Sequence, residues 1–139
     1  MNETWAVRTF RNKERIFSEG EQSDGAFLVK SGTVRVFRER DGHETELGVI
    51  RPGETLGEMS LIDAKPRNAS AAAIGDVQVA FISKGWFREA VGDDFVWSLL
   101  QDMSKRLRAM DDAFQKLESE KSAKITAVSN WTERRTWLV

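Results

Sequence analysis

Short runs of hydrophobic residues, with β-branched and aromatic side chains among them, fill the first part of the chain, residues 5–83. Glycine-containing turn signals, mostly about 8 to 12 residues apart, separate these runs. The signals are Glu19-Gly20, Ser31-Gly32, Asp41-Gly42, Pro52-Gly53 and Gly75-Asp76. Short runs with this spacing of turn signals predict an all-β sandwich or barrel.

Two hairpins are predicted in the middle of this region. Residues 26–30 and 33–38 are interpreted as strands joined by a tight turn at Ser31-Gly32. Asp41-Gly42 is the strongest hairpin signal in the chain, because a type I′ turn needs positive φ at both central residues. His43 follows this turn and is interpreted as a solvated turn residue.

The periodicity becomes helical after Ser83. Residues 84–91 predict a short helix, Gly92-Asp93-Asp94 predicts a break, and a long helix is expected to begin near Phe95. The predicted fold class is therefore mainly β with C-terminal helices.

Apolar residues recur along the long helix at steps of four and three. They are Val96, Leu100, Met103, Leu107, Met110, Phe114 and Leu117. This narrow a/d stripe, here called the seam, is typical of a helix that pairs with another helix. We therefore expect a homodimer through residues 96–117, the alternative being that the stripe covers the barrel.

The heptad pattern fails from Ser119 onward. We expect one domain at residues 1–118, followed by a C-terminal tail at residues 119–139. The tail is expected either to be disordered or to dock on a partner through Trp131, Trp137 and Leu138.

Composition excludes several function classes. Lys plus Arg number 21 against 22 Asp plus Glu, and the balance disfavours nucleic-acid binding. The absence of cysteine and the single histidine exclude disulfide frameworks, thiolate zinc sites and multi-histidine metal sites. Because the sequence also has no signal-peptide pattern and no apolar run of about 18 residues, we expect a cytoplasmic protein without membrane contact.

The candidate chemistry lies between residues 53 and 71. Gly57 and Ser60 allow close approach to the backbone, and residues 58–62 predict a helical turn whose N–H groups face an anion. Arg67, after the restraint of Pro66, suits bidentate phosphate binding. Glu58 suits a sugar hydroxyl. The pattern predicts a ribose-phosphate pocket; the alternative is a surface loop with a Glu58–Arg67 ion pair.

Two motifs in this segment resemble the phosphate-binding cassette of the cyclic-nucleotide-binding domain family. They are Gly57-Glu58-Met59-Ser60-Leu61 and Pro66-Arg67-Asn68-Ala69-Ser70. Similarity extends over residues 9–117 and includes the glycine turns at residues 15–20 and 26–32 and the lead-in at residues 47–54. The resemblance implies a β jelly roll with a lid-like C-terminal helix, and a binding module that is not an enzyme.

The resemblance also implies roles for individual residues. Arg67 would bind the cyclic phosphate and Glu58 the ribose 2′-OH, while Leu47 and Val49 would form apolar walls beside the base. The remaining cassette positions would line the phosphate and sugar: Gly57, Met59, Ser60, Pro66, Asn68 and Ala69. Met110 and Asp111 would cover the base from the long helix, although Met110 also belongs to the seam.

The sequence departs from the family pattern at two cassette positions. Leu56 stands where many members have an aromatic residue, and Asn68 stands where Ala, Ser or Thr is common. Asp111 or Asp112, if turned inward, would accept from N1–H and N2–H of guanine, which favours cGMP. The choice between cAMP and cGMP stays open.

We therefore expect a regulatory module that binds cAMP or cGMP, without a further cofactor, and changes the position of its C-terminal helix. The alternative is a protein-interaction adaptor whose barrel no longer binds nucleotide. The residues after Glu118 are too few for a helix-turn-helix, so no DNA binding is expected from this stand-alone chain. The signal would pass to an unknown protein partner.

Overall fold

The structure is a computed structural model that describes residues 5–23 and 25–135, with side chains as far as residue 121. The strands are β1 (Ala6–Phe10), β2 (Arg15–Phe17), β3 (Gly25–Arg40), β4 (His43–Ile50), β5 (Thr55–Leu56) and β6 (Ser70–Ser83). A 3₁₀ helix, Glu58–Leu61, lies between β5 and β6, and α1 (Lys84–Ala90) and α2 (Asp94–Arg135) follow.

Strands β3 and β6 are the longest strands, and they pair with each other along two successive stretches that form the two halves of the barrel. Residues 25–31 pair antiparallel with residues 78–83, and residues 33–37 with residues 70–74. The first half is completed by β1 on β6 and β5 on β3, and the second by β2 on β6 and β4 on β3. The predicted fold class, a β jelly roll followed by helices, is confirmed.

The predicted turn at Ser31-Gly32 is wrong, because β3 continues through it. The pairing with β6 shifts register on both sides of Ser31, and Gly32 takes a φ of +84°. A Cβ on Gly32 would lie 2.3 Å from the carbonyl oxygen of Asp76, so glycine serves a bulge here rather than a hairpin. Gly75 and Asp76 likewise lie inside β6 and not in a turn.

The hairpin at Asp41-Gly42 is confirmed. Asp41 and Gly42 have φ values of +53° and +78°, and Arg40 pairs with His43 across the turn. Both central residues are left-handed, as a type I′ turn requires. His43 is exposed.

The described residues form two hydrophobic clusters in the interior. The larger cluster fills the barrel with Phe17, Phe27, Val29, Val34, Leu56, Ala71, Ala73, Val77 and Val79. In the smaller one, Leu61 of the 3₁₀ helix is buried with Ala26 and Ile82, and Trp86 and Phe87 of α1 pack against them. This second cluster attaches the segment that carries the candidate chemistry to α1.

Helix α1 is confirmed, and the Ser83 hydroxyl caps it by accepting from the backbone N–H of Trp86 at 3.1 Å. Helix α2 begins at Asp94 and extends to Arg135, well past the end of the heptad pattern. Most of residues 119–128 are Ser, Glu, Lys and Ala, which tolerate or favour a helical backbone. The helix can therefore continue without the heptad pattern. The predicted docking residues lie outside the described part of the chain. This holds for the side chain of Trp131 and for all of Trp137 and Leu138.

Contacts divide the chain into two units, the first ending at Gln101 and the second beginning at Asp102. The first holds the barrel, α1 and the start of α2. The second consists of the remainder of α2 among the described residues. No helix within residues 5–23 and 25–135 combines the length and hydrophobicity needed to cross a membrane.

Candidate ligand-binding site

The candidate site is built on a sharp change of chain direction between β5 and the 3₁₀ helix. Gly57 adopts a left-handed conformation with φ of +72° directly before that helix. The backbone N–H of Ser60 then donates to the carbonyl of Gly57 at 3.1 Å and closes the turn. Since the first N–H groups of a helix have no acceptor within it, those of Glu58 and Met59 are suited to an external acceptor.

Arg67 is the central cation of the site and is only 7% exposed. Its Nη1 donates to the carbonyl of Gly57 at 3.3 Å and to the Ser60 hydroxyl at 3.2 Å. Its Cζ lies over the ring of Phe17, 4.2 Å from the centroid. A buried charge needs polar partners, and the turn at Gly57 supplies two of them.

The backbone of Arg67 is fixed as firmly as its side chain. Its N–H donates to the carbonyl of Glu21 at 2.9 Å, and its carbonyl accepts from the N–H of Gly20 at 2.8 Å. Nearby, the N–H of Glu19 donates to the Ser70 hydroxyl at 2.9 Å. The loop after β2 therefore holds the segment before β6 in register.

Glycine at position 57 is required by the arginine as well as by the backbone. A Cβ at Gly57 would lie 2.2 Å from Nη1 of Arg67 and 3.5 Å from a ring carbon of Phe17. The hydrogen atom of glycine leaves this space to the guanidinium. The left-handed φ and the close approach both select glycine.

The structure brings together three of the predicted site residues directly: Gly57, Ser60 and Arg67. The surface-loop alternative is wrong for Arg67, because that residue is buried. Among the other cassette positions Ala69 is buried, Met59 and Asn68 are half-buried, and Glu58 and Pro66 are exposed.

The other predicted site residues lie on different elements. Leu47 and Val49 are on β4 and are 39% and 38% exposed. Met110 and Asp111 are on α2, in the second unit; Met110 is 69% exposed, and the Asp111 carboxylate accepts from Nε2 of Gln115 at 3.0 Å. Their roles beside the base stay predictions.

Sequence reasoning missed two residues that support the cassette. Arg38 is buried near the end of β3, and its Nε donates to the carbonyl of Asn68 at 3.0 Å. Phe17 lies under the guanidinium of Arg67. No local signal marks the burial of Arg38, because the charged residues Glu39 and Arg40 follow it in the sequence.

Other arginines of the barrel are held by surface carboxylates. The hydrogen bond from Arg35 to Glu46, followed by that to Glu44, raises the pKa of Arg35 above its ordinary value. The hydrogen bond to Glu19 similarly raises the pKa of Arg40. Among the residues that the structure describes, no group of three His, Asp or Glu side chains is placed to hold a metal ion.

Comparison with known proteins matches most of the chain to one family. The sequence profile of the cyclic nucleotide-binding domain matches residues 7–94. The cAMP-dependent protein kinase type II regulatory subunit of Drosophila melanogaster is 34% identical over 86 residues, 61% of this chain and 23% of that protein. The CRP-like cAMP-activated global transcriptional regulator of Mycobacterium tuberculosis is 31% identical over 102 residues, 71% of this chain and 46% of that protein.

Solved structures show the same relationship. The EAL enzyme Bd1971 in its form bound to cAMP and cyclic-di-GMP has a TM-score of 0.70 at 32% identity, over 89% of this chain and 34% of its own. Forms of that enzyme bound to cAMP alone and to cGMP also match. This chain thus spans less than half the length of these proteins. It belongs to the cyclic nucleotide-binding domain family.

Proposed function

We propose that this chain is a regulatory module that binds cAMP or cGMP at residues 57–69 and does not catalyse a reaction. The observation that carries the proposal is the buried Arg67, held by Gly57 and Ser60 inside the region that the family profile matches. Relatives named as regulatory proteins, and a structural neighbour solved with cAMP and with cGMP, support the choice of ligand.

The chemistry of Arg67 suits the cyclic phosphate. A guanidinium remains charged at every physiological pH and presents its donors in a planar fork that matches two phosphate oxygens. In this proposal the N–H groups at the start of the 3₁₀ helix add donors to the phosphate, and the exposed Glu58 accepts from the ribose 2′-OH. The enclosed position of Arg67 reduces the screening of this charge by water.

The test is isothermal titration calorimetry with cAMP and cGMP on the unaltered chain and on two variants. Arg67→Ala should lower the affinity by about 100-fold or more, since it removes charge-assisted hydrogen bonds worth about 1.5–3 kcal/mol each. Arg51→Ala, which removes an exposed arginine directly after β4, should leave the affinity unchanged. Equal affinities of Arg67→Ala and the unaltered chain would contradict the proposed role.

The adaptor alternative makes the opposite prediction for thermal unfolding. A ligand that binds only the folded state stabilises it by RT ln(1 + [L]/Kd), about 2.7 kcal/mol at 100 times Kd. The proposal therefore expects the melting temperature to rise in millimolar cAMP or cGMP. A melting temperature indifferent to both nucleotides would favour the adaptor function instead.

We further propose that ligand binding changes the position of α2. Contacts within the first unit support a path to the start of that helix, because Phe87 of α1 packs near the Leu61 cluster and its ring centroid lies 6.3 Å from that of Trp97. Arg88 continues the connection by donating to the carbonyl of Val91 at 2.7 Å and to the Asp94 carboxylate at 3.2 Å.

Spin-label distance measurements test this movement. The chain contains no cysteine, so Thr45→Cys on β4 and Ala109→Cys on α2 accept labels at those two positions alone. Saturating cyclic nucleotide should shift the measured distance distribution in this labelled protein. The same labels in a chain with Arg67→Ala should give one distribution with and without nucleotide, and an unshifted distribution in the parent would refute the proposal.

We also propose that two copies pair through the seam of α2. In the single chain Val96, Met103, Leu107, Met110, Phe114 and Leu117 are exposed. Burying such a stripe against a second helix removes apolar area from water at about 25 cal/mol per Å². Leu107→Glu should convert a dimer to a monomer in analytical ultracentrifugation, whereas Ala109→Glu, off the seam, should not. A monomer at high concentration in the unaltered chain would disprove the pairing.

A further inference from the structure

The aromatic ring of Phe17 gives the site a support that lies outside the cassette. Phe17 ends β2, is 7% exposed and pairs with Ala71 of β6. Its ring stacks on that of Phe27 with centroids 6.1 Å apart and planes 26° from parallel. The pairing of Phe17 with β6 and the contact with Phe27 therefore fix the position of the ring.

The guanidinium of Arg67 lies over this pair of rings. Its Cζ is 4.2 Å from the Phe17 centroid and 5.7 Å from the Phe27 centroid. Both distances are within the roughly 6 Å at which the negative face of an aromatic ring attracts a cation. Because Arg67 is buried, water competes little with this attraction.

An aromatic face supports a guanidinium differently from a carboxylate. A carboxylate partner accepts the N–H donors and neutralises the charge, so both become less available to an anionic ligand. A ring attracts the charge through its quadrupole and accepts no conventional hydrogen bond. The contact with Phe17 therefore holds Arg67 without occupying any of its N–H donors.

We propose that Phe17 is a positioning residue for phosphate recognition, acting on the ligand through Arg67 by a cation–π contact. This inference rests on the proposed function of Arg67. It assigns to position 17 a requirement for an electron-rich ring face, in addition to the apolar bulk that the core demands. An aliphatic residue of similar size would fill the core and leave the guanidinium without this support.

A series of fluorinated phenylalanines at position 17 tests the electronic requirement without changing the shape of the core. Site-specific incorporation of phenylalanine with one, two and three ring fluorines progressively weakens the negative face of the ring. The affinity for cAMP or cGMP, measured by calorimetry, should fall stepwise to about one tenth of its starting value. The same residues at Phe10, which packs against the same core, should leave the affinity unchanged.

Phe17→Leu provides the second measurement. It should lower the affinity by about tenfold. In a double-mutant cycle with Arg67→Ala the two losses should be far from additive, because the contact requires both partners. A purely structural role for Phe17 would give additive losses and a fluorine series without slope, and either result overturns the inference.

The unaltered protein distinguishes failure of this inference from failure of the proposed function. If the unaltered chain gives no saturable heat with cAMP or cGMP, nucleotide binding is refuted and the positioning role falls with it. If it binds and the fluorine series at position 17 is flat, only the positioning role is refuted.

Discussion

Replacing Gly57 by alanine would place a methyl group where the structure has the guanidinium of Arg67. The new Cβ would lie 2.2 Å from Nη1 and 3.2 Å from Cζ of that side chain. Ordinary contacts between such atoms are about 3.5 Å or longer. The guanidinium must therefore withdraw by about 1 Å or more. It then loses its hydrogen bonds to the Ser60 hydroxyl, at 3.2 Å, and to the Gly57 carbonyl, at 3.3 Å.

The change should lower both the stability of the fold and the affinity for the ligand. Alanine in the left-handed conformation costs about 1–2 kcal/mol, and the reduced freedom of the unfolded chain offsets about 0.4–1 kcal/mol of this. The clash itself meets the end of a flexible side chain and not the backbone. If Arg67 binds the phosphate as proposed, its displacement should lower the affinity for the cyclic nucleotide by about 100-fold.

Gly75→Ala is the matched control for this experiment. Gly75 has a φ of +70°, close to the +72° of Gly57, and a Cβ there meets nothing within 4 Å. Gly75→Ala should lose about 1 kcal/mol of unfolding free energy in urea titrations. Gly57→Ala should lose more, because two hydrogen bonds of the buried Arg67 are lost as well, and only Gly57→Ala should lose ligand affinity in calorimetry. Nucleotide binding by Gly57→Ala within threefold of the parent, or an equal loss in Gly75→Ala, would refute this reasoning.

Two further predictions concern the cassette and the strand bulge. Ser60→Ala removes a hydroxyl that accepts from Arg67 at 3.2 Å. The affinity for nucleotide should fall by about tenfold, with little change in melting temperature. A lowered melting temperature with unchanged affinity would contradict a role in the site. Gly32→Ala puts a Cβ 2.3 Å from the Asp76 carbonyl, where the rigid neighbouring strand cannot withdraw. It should lower the free energy of unfolding in urea by about 3 kcal/mol or more, well beyond the loss in Gly75→Ala. Equal stabilities of these two variants would show that the bulge can move to accommodate the methyl group.

Patterns local in sequence predicted much of the fold correctly. The short runs and turn signals over residues 5–83 identified the β barrel, and the helical period after Ser83 identified both helices. Asp41-Gly42 identified its hairpin, since the type I′ turn is specified by its two central residues. At Ser31-Gly32 the predicted turn was wrong, because a glycine with positive φ occurs in a bulge as well as in a turn. Only the partner strand distinguishes the two.

The cassette shows the same division. Residue types and their spacing within residues 57–69 were enough to nominate Arg67 and its neighbours, because the elements of a phosphate cradle are close together in the chain. Sequence could not place Phe17 beneath Arg67 or Arg38 against the Asn68 carbonyl. These contacts join residues 50 and 30 positions apart, and they exist only because β2 and β3 pair with β6. Residues close together in the chain determine the local chemistry, whereas the burial and support of a charge depend on which strands pair in the tertiary structure.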